Sequence, residues 1–352
     1  MKRKVSLAAA VVVLLGLVVA FAFQAQIGGW IYDRAVGSRI AAPPLESASG
    51  LAVGLCGTGS PMPGSNRAGA CTVVLAGSQA IVVDMGEGGA ANLTRMGIDP
   101  GRIDAVLLTH FHSDHIDGLG PLNLLHWTGV ADREPLALHG PPGVERVAEG
   151  FNLAYTHDHG YRVAHHGEAI APPAGGTFRA VPFEMPAGPT VVFRKDGLTV
   201  TAFPVDHRPV TPAVGYRFDY KGRSVVISGD TAQSVSLERA ARGADLLVHE
   251  ALQPVMVSSL TRALDKVGRK NTAQITRDIL DYHATPEQAA ESAQRAGVRH
   301  LVLTHIVPPL PSRLFYPAFL RDAEGRFDGP ITVGDDGVVF MLPAGSSEVT
   351  VR

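Results

Sequence analysis

Three histidines and one aspartate lie within six residues in the segment His110-Phe111-His112-Ser113-Asp114-His115. The segment directly follows a short apolar run and Thr109, which predicts a turn at the end of a buried strand. Imidazole and carboxylate groups suit Zn²⁺, and also Mn²⁺ or Fe. Such a turn can direct His110 and His112 at one ion, and Asp114 and His115 at a second. The cluster therefore predicts two divalent metal ions, with zinc as the expected metal and manganese or iron as alternatives.

Four other candidate ligands follow short apolar runs that are typical of strands: His207, Asp230, His249 and His305. In α/β sheets, ligands bind in the crevice beyond the carboxyl ends of the strands, so residues far apart in sequence can converge there. Helical patterns alternate with these strands, which indicates an α/β layered domain. The positions therefore predict one shared site at the strand ends.

The His-x-His-x-Asp-His pattern resembles the signature of the metallo-β-lactamase superfamily, and the resemblance covers about residues 51–342. The chain is most similar to the ribonuclease Z-like branch, which includes arylsulfatase-type and phosphodiesterase-type members. The motifs that carry this are Gly57-Thr58-Gly59-Ser60-Pro61, Asn66-Arg67, Val83-Asp84-Met85-Gly86, Ser228-Gly229-Asp230-Thr231, His249-Glu250-Ala251, His283-Ala284-Thr285 and Leu303-Thr304-His305. The resemblance implies an αββα four-layer sandwich with mixed sheets.

The same resemblance implies a set of metal ligands. One ion would be held by His110, His112 and His207, the other by Asp114, His115 and His305, and Asp230 would bridge the two. Two neighbouring cations lower the pKa of a shared water, which gives a bridging hydroxide nucleophile at neutral pH. These residues therefore predict a metal-dependent hydrolase that acts on ester bonds.

Further side chains are expected to support the reaction. Asp114 is a candidate for positioning or deprotonating the attacking water, and the resemblance makes His283 a candidate for protonating the leaving group. Because metal-bound histidines usually need a partner for their second ring nitrogen, His249, Glu250 and Asp84 are expected to orient the ligands or His283.

Three residues are candidates for contacting an anionic substrate. Thr285 is predicted to be the N-cap of a helix, where it would either help to form an anion site or act as an ordinary cap. Arg208 and Arg217 follow the third ligand histidine and carry guanidinium groups that suit phosphate or sulfate oxygens.

The N-terminal segment differs in composition from the rest of the chain. Lys2, Arg3 and Lys4 precede an apolar run over residues 5–23, which predicts a membrane anchor or a cleaved signal in segment 1–25. The membrane is then a partner, and a periplasmic location follows, either anchored at the inner membrane or secreted.

The rest of the chain divides into three predicted parts. A linker is expected over 26–50, the hydrolase domain over 51–343 with an insertion or lid at 130–198, and a tail over 344–352. Cys56 and Cys71 are expected to be a disulfide or two free thiols.

Two observations bear on the substrate. Ribonuclease Z enzymes that mature tRNA carry an RNA-gripping arm between the third ligand histidine and the bridging aspartate, whereas 22 residues separate His207 from Asp230 here and predict a plain hairpin. The net charge of -2 offers no general attraction for nucleic acid. Both favour an extracytoplasmic hydrolase of small anionic esters, aryl sulfates or phosphodiesters, and disfavour nucleic acid as a partner. The alternatives are a tRNA 3′-endonuclease, a lactone or thioester hydrolase, and a non-catalytic metal-binding module.

Apolar residues at 310–320 suggest either a homodimer face or a pocket wall.

Overall fold

The computed structural model describes residues 2–40, 45, 49–130, 133–185 and 187–352. The chain divides into two compact units, Met1–Pro44 and Leu45–Arg352.

The first unit consists of helices α1 (Lys2–Ala22) and α2 (Gln24–Ile40). The predicted linker is therefore helical over residues 26–40, where the helix interior tolerates Gly28 and Gly29 at a cost of about 1 kcal/mol each. Among the described residues no single helix is long and apolar enough to cross a membrane; Val11–Ala22 and Gln24–Ser38, bent by 75°, meet the length and composition criteria only as a pair. Anchor, signal and export stay predictions.

The second unit alternates strands and helices along the chain. Its strands are β1 (Leu51–Gly57), β2 (Cys71–Ala76), β3 (Gln79–Val83), β4 (Ala105–Leu107), β5 (Leu136–Gly140), β6 (Phe178–Pro182), β7 (Thr190–Lys195), β8 (Leu198–Pro204), β9 (Val214–Tyr220), β10 (Arg223–Ile227), β11 (Leu246–Leu252), β12 (His300–Val307), β13 (Ile331–Val333), β14 (Val339–Leu342) and β15 (Thr350–Val351). Its helices are α3 (Gly89–Arg95), α4 (Ser113–Ile116), α5 (Leu119–Val130), α6 (Val144–His166), α7 (Val235–Ala240), α8 (Pro254–Lys266), α9 (Lys270–Asp278), α10 (Pro286–Ala296) and α11 (Tyr316–Leu320).

Among the described residues the strands form two mixed sheets. The first has the order β15-β14-β1-β2-β3-β4-β5-β6, and the second has the order β13-β12-β11-β10-β9-β8-β7. Strands β3 to β6 run parallel in the first sheet and β10 to β13 in the second, while the remaining neighbours are antiparallel. The parallel halves bring the carboxyl ends of β4, β10, β11 and β12 to common edges of the two sheets.

The sheets pack face to face, with helices on both outer surfaces. Side chains such as Val53 and Ile81 of the first sheet and Tyr216 and Val248 of the second share the central core. Helices α3, α5 and α6 cover the outside of the first sheet, and α7, α10 and α11 cover the second. Strands covered on both sides need continuous apolar runs, which is why β1, β2 and β3 are buried along their whole length. The predicted αββα sandwich is confirmed.

Two predicted segments contain sheet strands. Region 130–198, predicted as an insertion or lid, supplies β5 and β6 to the first sheet and β7 to the second, and its role as an insertion or lid stays a prediction. Its histidine-rich part, including His157 and His165, lies in α6. The C-terminal tail includes β15, which pairs with β14 and extends the first sheet.

The structure confirms the predicted hairpin and decides between the two alternatives for the cysteines. The interval before Asp230 is a hairpin of β9 and β10, in which Tyr220 pairs with Arg223 across Lys221 and Gly222, both with positive φ. Cys56 and Cys71 form a disulfide between β1 and β2, so the free-thiol alternative is excluded.

Candidate metal centre

The histidine-rich motif wraps around the start of a short helix. His110 follows β4, His112 occupies the N-cap position of α4, and the helix itself carries Asp114 and His115. The backbone amide of His115 donates to the carbonyl of His112 at 3.1 Å, which closes the turn. A strand followed at once by a one-turn helix therefore presents four donors from six residues to one region.

His305 enters the site through an irregularity in β12. Glu250 pairs with Thr304 and Ala251 pairs with Ile306, so His305 is the extra residue of a bulge. Its φ of 47° lies in the left-handed region, which is costly for a residue with a Cβ. Bulges re-aim side chains next to active sites. The expectation that the strands end at His249 and His305 is therefore wrong: both strands continue, and the bulge directs His305 to the site.

The first donor set has four members. The Nδ1 atom of His112 lies 3.0 Å from Nε2 of His110 and 3.5 Å from Nε2 of His207. Oδ2 of Asp230 lies 3.8 Å from Nε2 of His110 and 3.9 Å from Nε2 of His207. All four donor atoms lie within 4.8 Å of one another.

The second donor set shares Asp230. Its Oδ2 lies 3.4 Å from Nε2 of His115 and 3.4 Å from Nε2 of His305. Oδ2 of Asp114 lies 3.6 Å from Nε2 of His115 and 3.1 Å from Nε2 of His305. One oxygen of Asp230 thus faces four imidazole nitrogens, two from each set, so this carboxylate could contact an ion held by either set.

These spacings fit divalent metal ions. Ligands about 2.1 Å from a tetrahedral zinc ion are separated from one another by roughly 3.4 Å. The donor–donor distances in the two sets scatter around that value, and Nε2 of His115 is buried without a hydrogen-bond partner among the described residues. An unpartnered buried nitrogen needs an explanation, and an ion in contact with it provides one.

Asp84 and Thr109 fix the orientation of one imidazole in each set. The carboxylate of Asp84 accepts hydrogen bonds at 2.8 Å from the Thr109 amide, from the Thr109 hydroxyl and from Nδ1 of His115. Because the Thr109 hydroxyl donates to Asp84, its oxygen is free to accept from Nδ1 of His110 at 3.0 Å. Both rings therefore turn Nε2 towards the centre. Thr109 has no predicted role, although its position directly before His110 pointed to one.

His207 is oriented by a residue that the sequence analysis also missed. Its Nδ1 donates to the carbonyl oxygen of Tyr282 at 3.0 Å, and the Tyr282 ring packs against the imidazole with 4.7 Å between centroids. Nothing in the local sequence around Tyr282 indicates this contact, because the two residues are 75 positions apart.

Glu250 holds His283 beside the centre. Oε1 of Glu250 accepts from Nδ1 of His283 at 3.0 Å, from the Ala284 amide at 3.0 Å and from the Thr231 amide at 3.2 Å. A nitrogen of His283 also lies within 4.8 Å of ligand atoms of Asp230 and His305. His249 does not brace His283 as expected, since its Nδ1 instead donates to the Glu250 carbonyl at 2.7 Å.

Burial and the central carboxylates shift the titration of these groups in opposite directions. Burial lowers the pKa of His110 well below its usual value and also lowers those of His112 and His207, which favours neutral, ligating rings. Burial also acts to lower the pKa of His305, but Asp230 and Asp114 outweigh it and raise that pKa to about 9. Burial acts to raise the pKa of Asp230, but His305 and His115 outweigh it and hold that pKa well below the usual range.

The structure places the three predicted substrate contacts in different surroundings. Arg217 is wrong as a contact, because it pairs with Asp219 at 3.0 Å and donates to the carbonyl of Ala240 at 2.7 Å at the end of α7. It lies on the helix-covered face of β9, away from the centre. Thr285 is an N-cap that forms a capping box with Gln288, so its side chain is engaged by the helix. Arg208 is exposed and pairs with Asp206 at 2.7 Å beside His207.

Two open cavities flank the centre. One of about 650 Å³ is lined by the loop 60–69, Arg95, Asp114 and Asp117. The other, of about 390 Å³, is lined by His207, Arg208, Thr211 and Ala213. The larger cavity reaches Asp114 and the smaller one reaches His207, so each donor set adjoins a cavity that has an exposed arginine in its wall.

Comparison with known proteins identifies relatives of the second unit. A family model described as a beta-lactamase superfamily domain matches residues 80–306. A protein of Mycobacterium bovis named Ribonuclease Z is 41% identical over 289 residues, which is 81% of this chain and 96% of the relative. A Ribonuclease Z of Mycolicibacterium gilvum is 40% identical over 293 residues, 81% of this chain and 94% of the relative.

Solved structures agree on the fold. The metallo-beta-lactamase fold protein YhfI from Bacillus subtilis has a TM-score of 0.59 at 20% identity and covers 82% of this chain and 98% of its own. The short form of human tRNase Z has a TM-score of 0.59 at 23% identity and covers 83% of this chain and 99% of its own.

These comparisons contradict the substrate predictions. Relatives about 40% identical over four fifths of the chain are named for action on RNA, which contradicts a hydrolase of aryl sulfates or other small anionic esters. The same finding contradicts the expectation that nucleic acid is not a partner. A short hairpin in place of an arm and a net charge of -2 do not exclude an RNA substrate, because RNA binding depends on local surfaces and not on the total charge. The chain is a metal-dependent hydrolase, and it belongs to the ribonuclease Z-like branch of the metallo-β-lactamase superfamily.

Proposed function

We propose that this protein is a zinc-dependent ribonuclease of the ribonuclease Z type, which cuts a phosphodiester bond at the 3′ end of tRNA precursors. The observation that carries the proposal is the 41% identity, over 96% of its length, to a protein named Ribonuclease Z. The two donor sets joined by Asp230 support it, because phosphodiester cleavage is typical chemistry of a two-metal site.

Zinc is proposed from the chemistry of the donors. Five imidazoles and two carboxylates, with no thiolate, suit zinc better than magnesium or calcium, which prefer oxygen ligands. Bound there, two zinc ions would stabilise charge on the scissile phosphate and make a water acidic enough to attack at neutral pH.

The side chains have separate tasks around the scissile phosphate. Asp114 is buried against His305 and lines the larger cavity, so it can orient the attacking water on that side. His283 donates a hydrogen bond from Nδ1 to Glu250, which leaves its other nitrogen free to face the leaving oxygen, and a ring protonated on both nitrogens can deliver a proton there. Glu250 fixes the ring for this role because its Oε1 also anchors two backbone amides.

An RNA strand needs contacts on both sides of the cleaved bond. Arg95 in the larger cavity and Arg208 in the smaller one are exposed cations, and the two cavities reach different donor sets, through Asp114 and His207. Guanidinium groups bind phosphates well, and such contacts position a backbone without reading its sequence. These two residues therefore offer a grip on the phosphates that flank the cut, without an arm in the β9–β10 hairpin.

The test is cleavage of a 5′-labelled tRNA precursor with a 3′ trailer by the full chain supplied with zinc. A single cut at the trailer junction is expected, with no cut in the same tRNA lacking the trailer. His110→Ala should abolish cleavage because it removes a donor, whereas His157→Ala, on the exposed face of α6, should cleave normally.

Either of two results would contradict the proposal. One is an intact precursor while a nitrophenyl sulfate is hydrolysed with dependence on His110. The other is degradation of precursor and mature tRNA at many positions, which indicates a nuclease without a defined site.

A further inference from the structure

A small cavity adjoins the metal centre, and His115, Asp230 and His305 of the second donor set line part of it. Its volume is about 20 Å³, and its wall includes Asp230, Glu250 and His305 together with apolar residues such as Val83 and Ile227. A single water molecule needs a cavity of at least about 10–15 Å³ and two to four polar partners. The cavity therefore has room for one water molecule and little else.

The polar atoms around this cavity are incompletely paired. Within the described part of the chain, Oδ1 of Asp230, Oε2 of Glu250 and Nδ1 of His305 are buried and have no hydrogen-bond partner. The three residues are at most 3% exposed. Leaving such groups without partners costs about 1–3 kcal/mol each, so native proteins rarely do so.

In each of these three side chains the other polar atom already has partners. Oδ2 of Asp230 faces the four imidazoles, and Oε1 of Glu250 accepts three hydrogen bonds. Nε2 of His305 lies in the second donor set, facing Asp114 and Asp230, so a metal ion held there leaves the proton of the neutral ring on Nδ1, which points to the opposite side. Apart from Nε2 of His115, which belongs to the second donor set, the free set is thus two acceptors and one donor.

We propose that this cavity binds one structural water, which accepts from Nδ1 of His305 and donates to Oδ1 of Asp230 and to Oε2 of Glu250. A water has two protons and can accept a hydrogen bond, so it matches the set of two acceptors and one donor. A monovalent cation would suit the two carboxylate oxygens but not the N–H of His305. The water links the carboxylate that bridges the donor sets to the one that holds His283, so Glu250 is positioned through both of its oxygens.

The direct test is a crystal structure of the full chain with zinc at a resolution that defines ordered water. A density peak at hydrogen-bond distance, about 2.6–3.2 Å, from all three atoms is expected. Crystals soaked in rubidium chloride should show no anomalous signal at that position. An empty cavity, or a rubidium signal that contacts the carboxylates alone, would overturn the proposal.

A cavity-filling pair of variants tests the same water in solution. Val83→Ile adds one carbon to the cavity wall and should expel the water, while Val82→Ile adds the same carbon to β3 on its opposite face. Val83→Ile should lower the melting temperature by about 5 °C more than Val82→Ile, because three polar atoms lose their partner. Zinc content should be equal in both. Equal melting temperatures would contradict the proposal, and if Val83→Ile does not fold the wild-type crystal structure decides.

Discussion

Replacing Asp84 by asparagine should weaken metal binding without disturbing the backbone. Asp84 is 4% exposed and has a φ of 56°, in the left-handed region that asparagine tolerates better than most residues. Its two oxygens accept from the Thr109 amide, the Thr109 hydroxyl and Nδ1 of His115. Asparagine offers one oxygen and one NH₂ group in the same space, so one NH₂ must face a donor in either orientation.

The size of the effect follows from the hydrogen bonds. With the NH₂ towards the Thr109 amide, two donors oppose each other in a buried site, which costs about 1–3 kcal/mol. With the NH₂ towards His115, the ring must accept at Nδ1 and carry its proton on Nε2, where it cannot bind a metal. Loss of such a supporting contact typically lowers metal affinity by about 10–100-fold, which corresponds to a similar free energy of about 1.4–2.7 kcal/mol.

The assay is zinc affinity measured by competition with a chromophoric chelator. Asp104→Asn is the matched control, because Asp104 accepts from the Ala80 amide at 2.8 Å and from Lys195 at 2.7 Å and has no partner in the donor sets. Asp84→Asn should bind zinc about 10–100-fold more weakly, and Asp104→Asn should bind like the wild type. Wild-type affinity in Asp84→Asn would refute the role assigned to this carboxylate.

Three further outcomes are expected. Burial, followed by Arg179, lowers the pKa of His139 from 6.5 to about 4, so unfolding takes up a proton between these values and stability falls as the pH drops from 6.5 towards 4. His139→Phe should remove about 3 kcal/mol of this loss, measured as urea unfolding at pH 7 and pH 4; an unchanged pH dependence would contradict it. Thr285→Ala should lower the free energy of unfolding by about 1 kcal/mol with an unchanged KM, and Thr285→Ser should restore it, whereas a raised KM would indicate a substrate contact. Arg208→Ala should raise the KM for precursor tRNA several-fold and Arg217→Ala should not, so equal KM values would count against the flanking-phosphate grip.

The composition of the centre could be predicted from the sequence for a local reason. His110, His112, Asp114 and His115 lie so close in the chain that a strand and one helical turn bring them together under almost any packing. Short apolar runs likewise predicted strands, because residues between two packed layers must be apolar on both faces. The family resemblance added Asp230 and His305, which share no local pattern with the motif.

Contacts between distant segments could not be predicted in this way. The bulge at His305 depends on the register between β11 and β12, which is a property of two strands and not of one. The carbonyl of Tyr282 reaches His207 only because the packed layers place them together. Arg217 was assigned to the substrate from its neighbours in sequence, yet the alternation of β9 turns it towards α7.

The sequence by itself determined the donor types, the buried strands, the plain hairpin before Asp230 and the superfamily, since each depends on residues that are near neighbours or on a motif. The tertiary structure decided which oxygen of Asp230 faces four imidazoles, which carboxylate orients which histidine, and that region 130–198 belongs to the sheets. The physical reason is range: side-chain chemistry and strand propensity are local, whereas register, bulges and hydrogen bonds across the two sheets arise only when the layers pack.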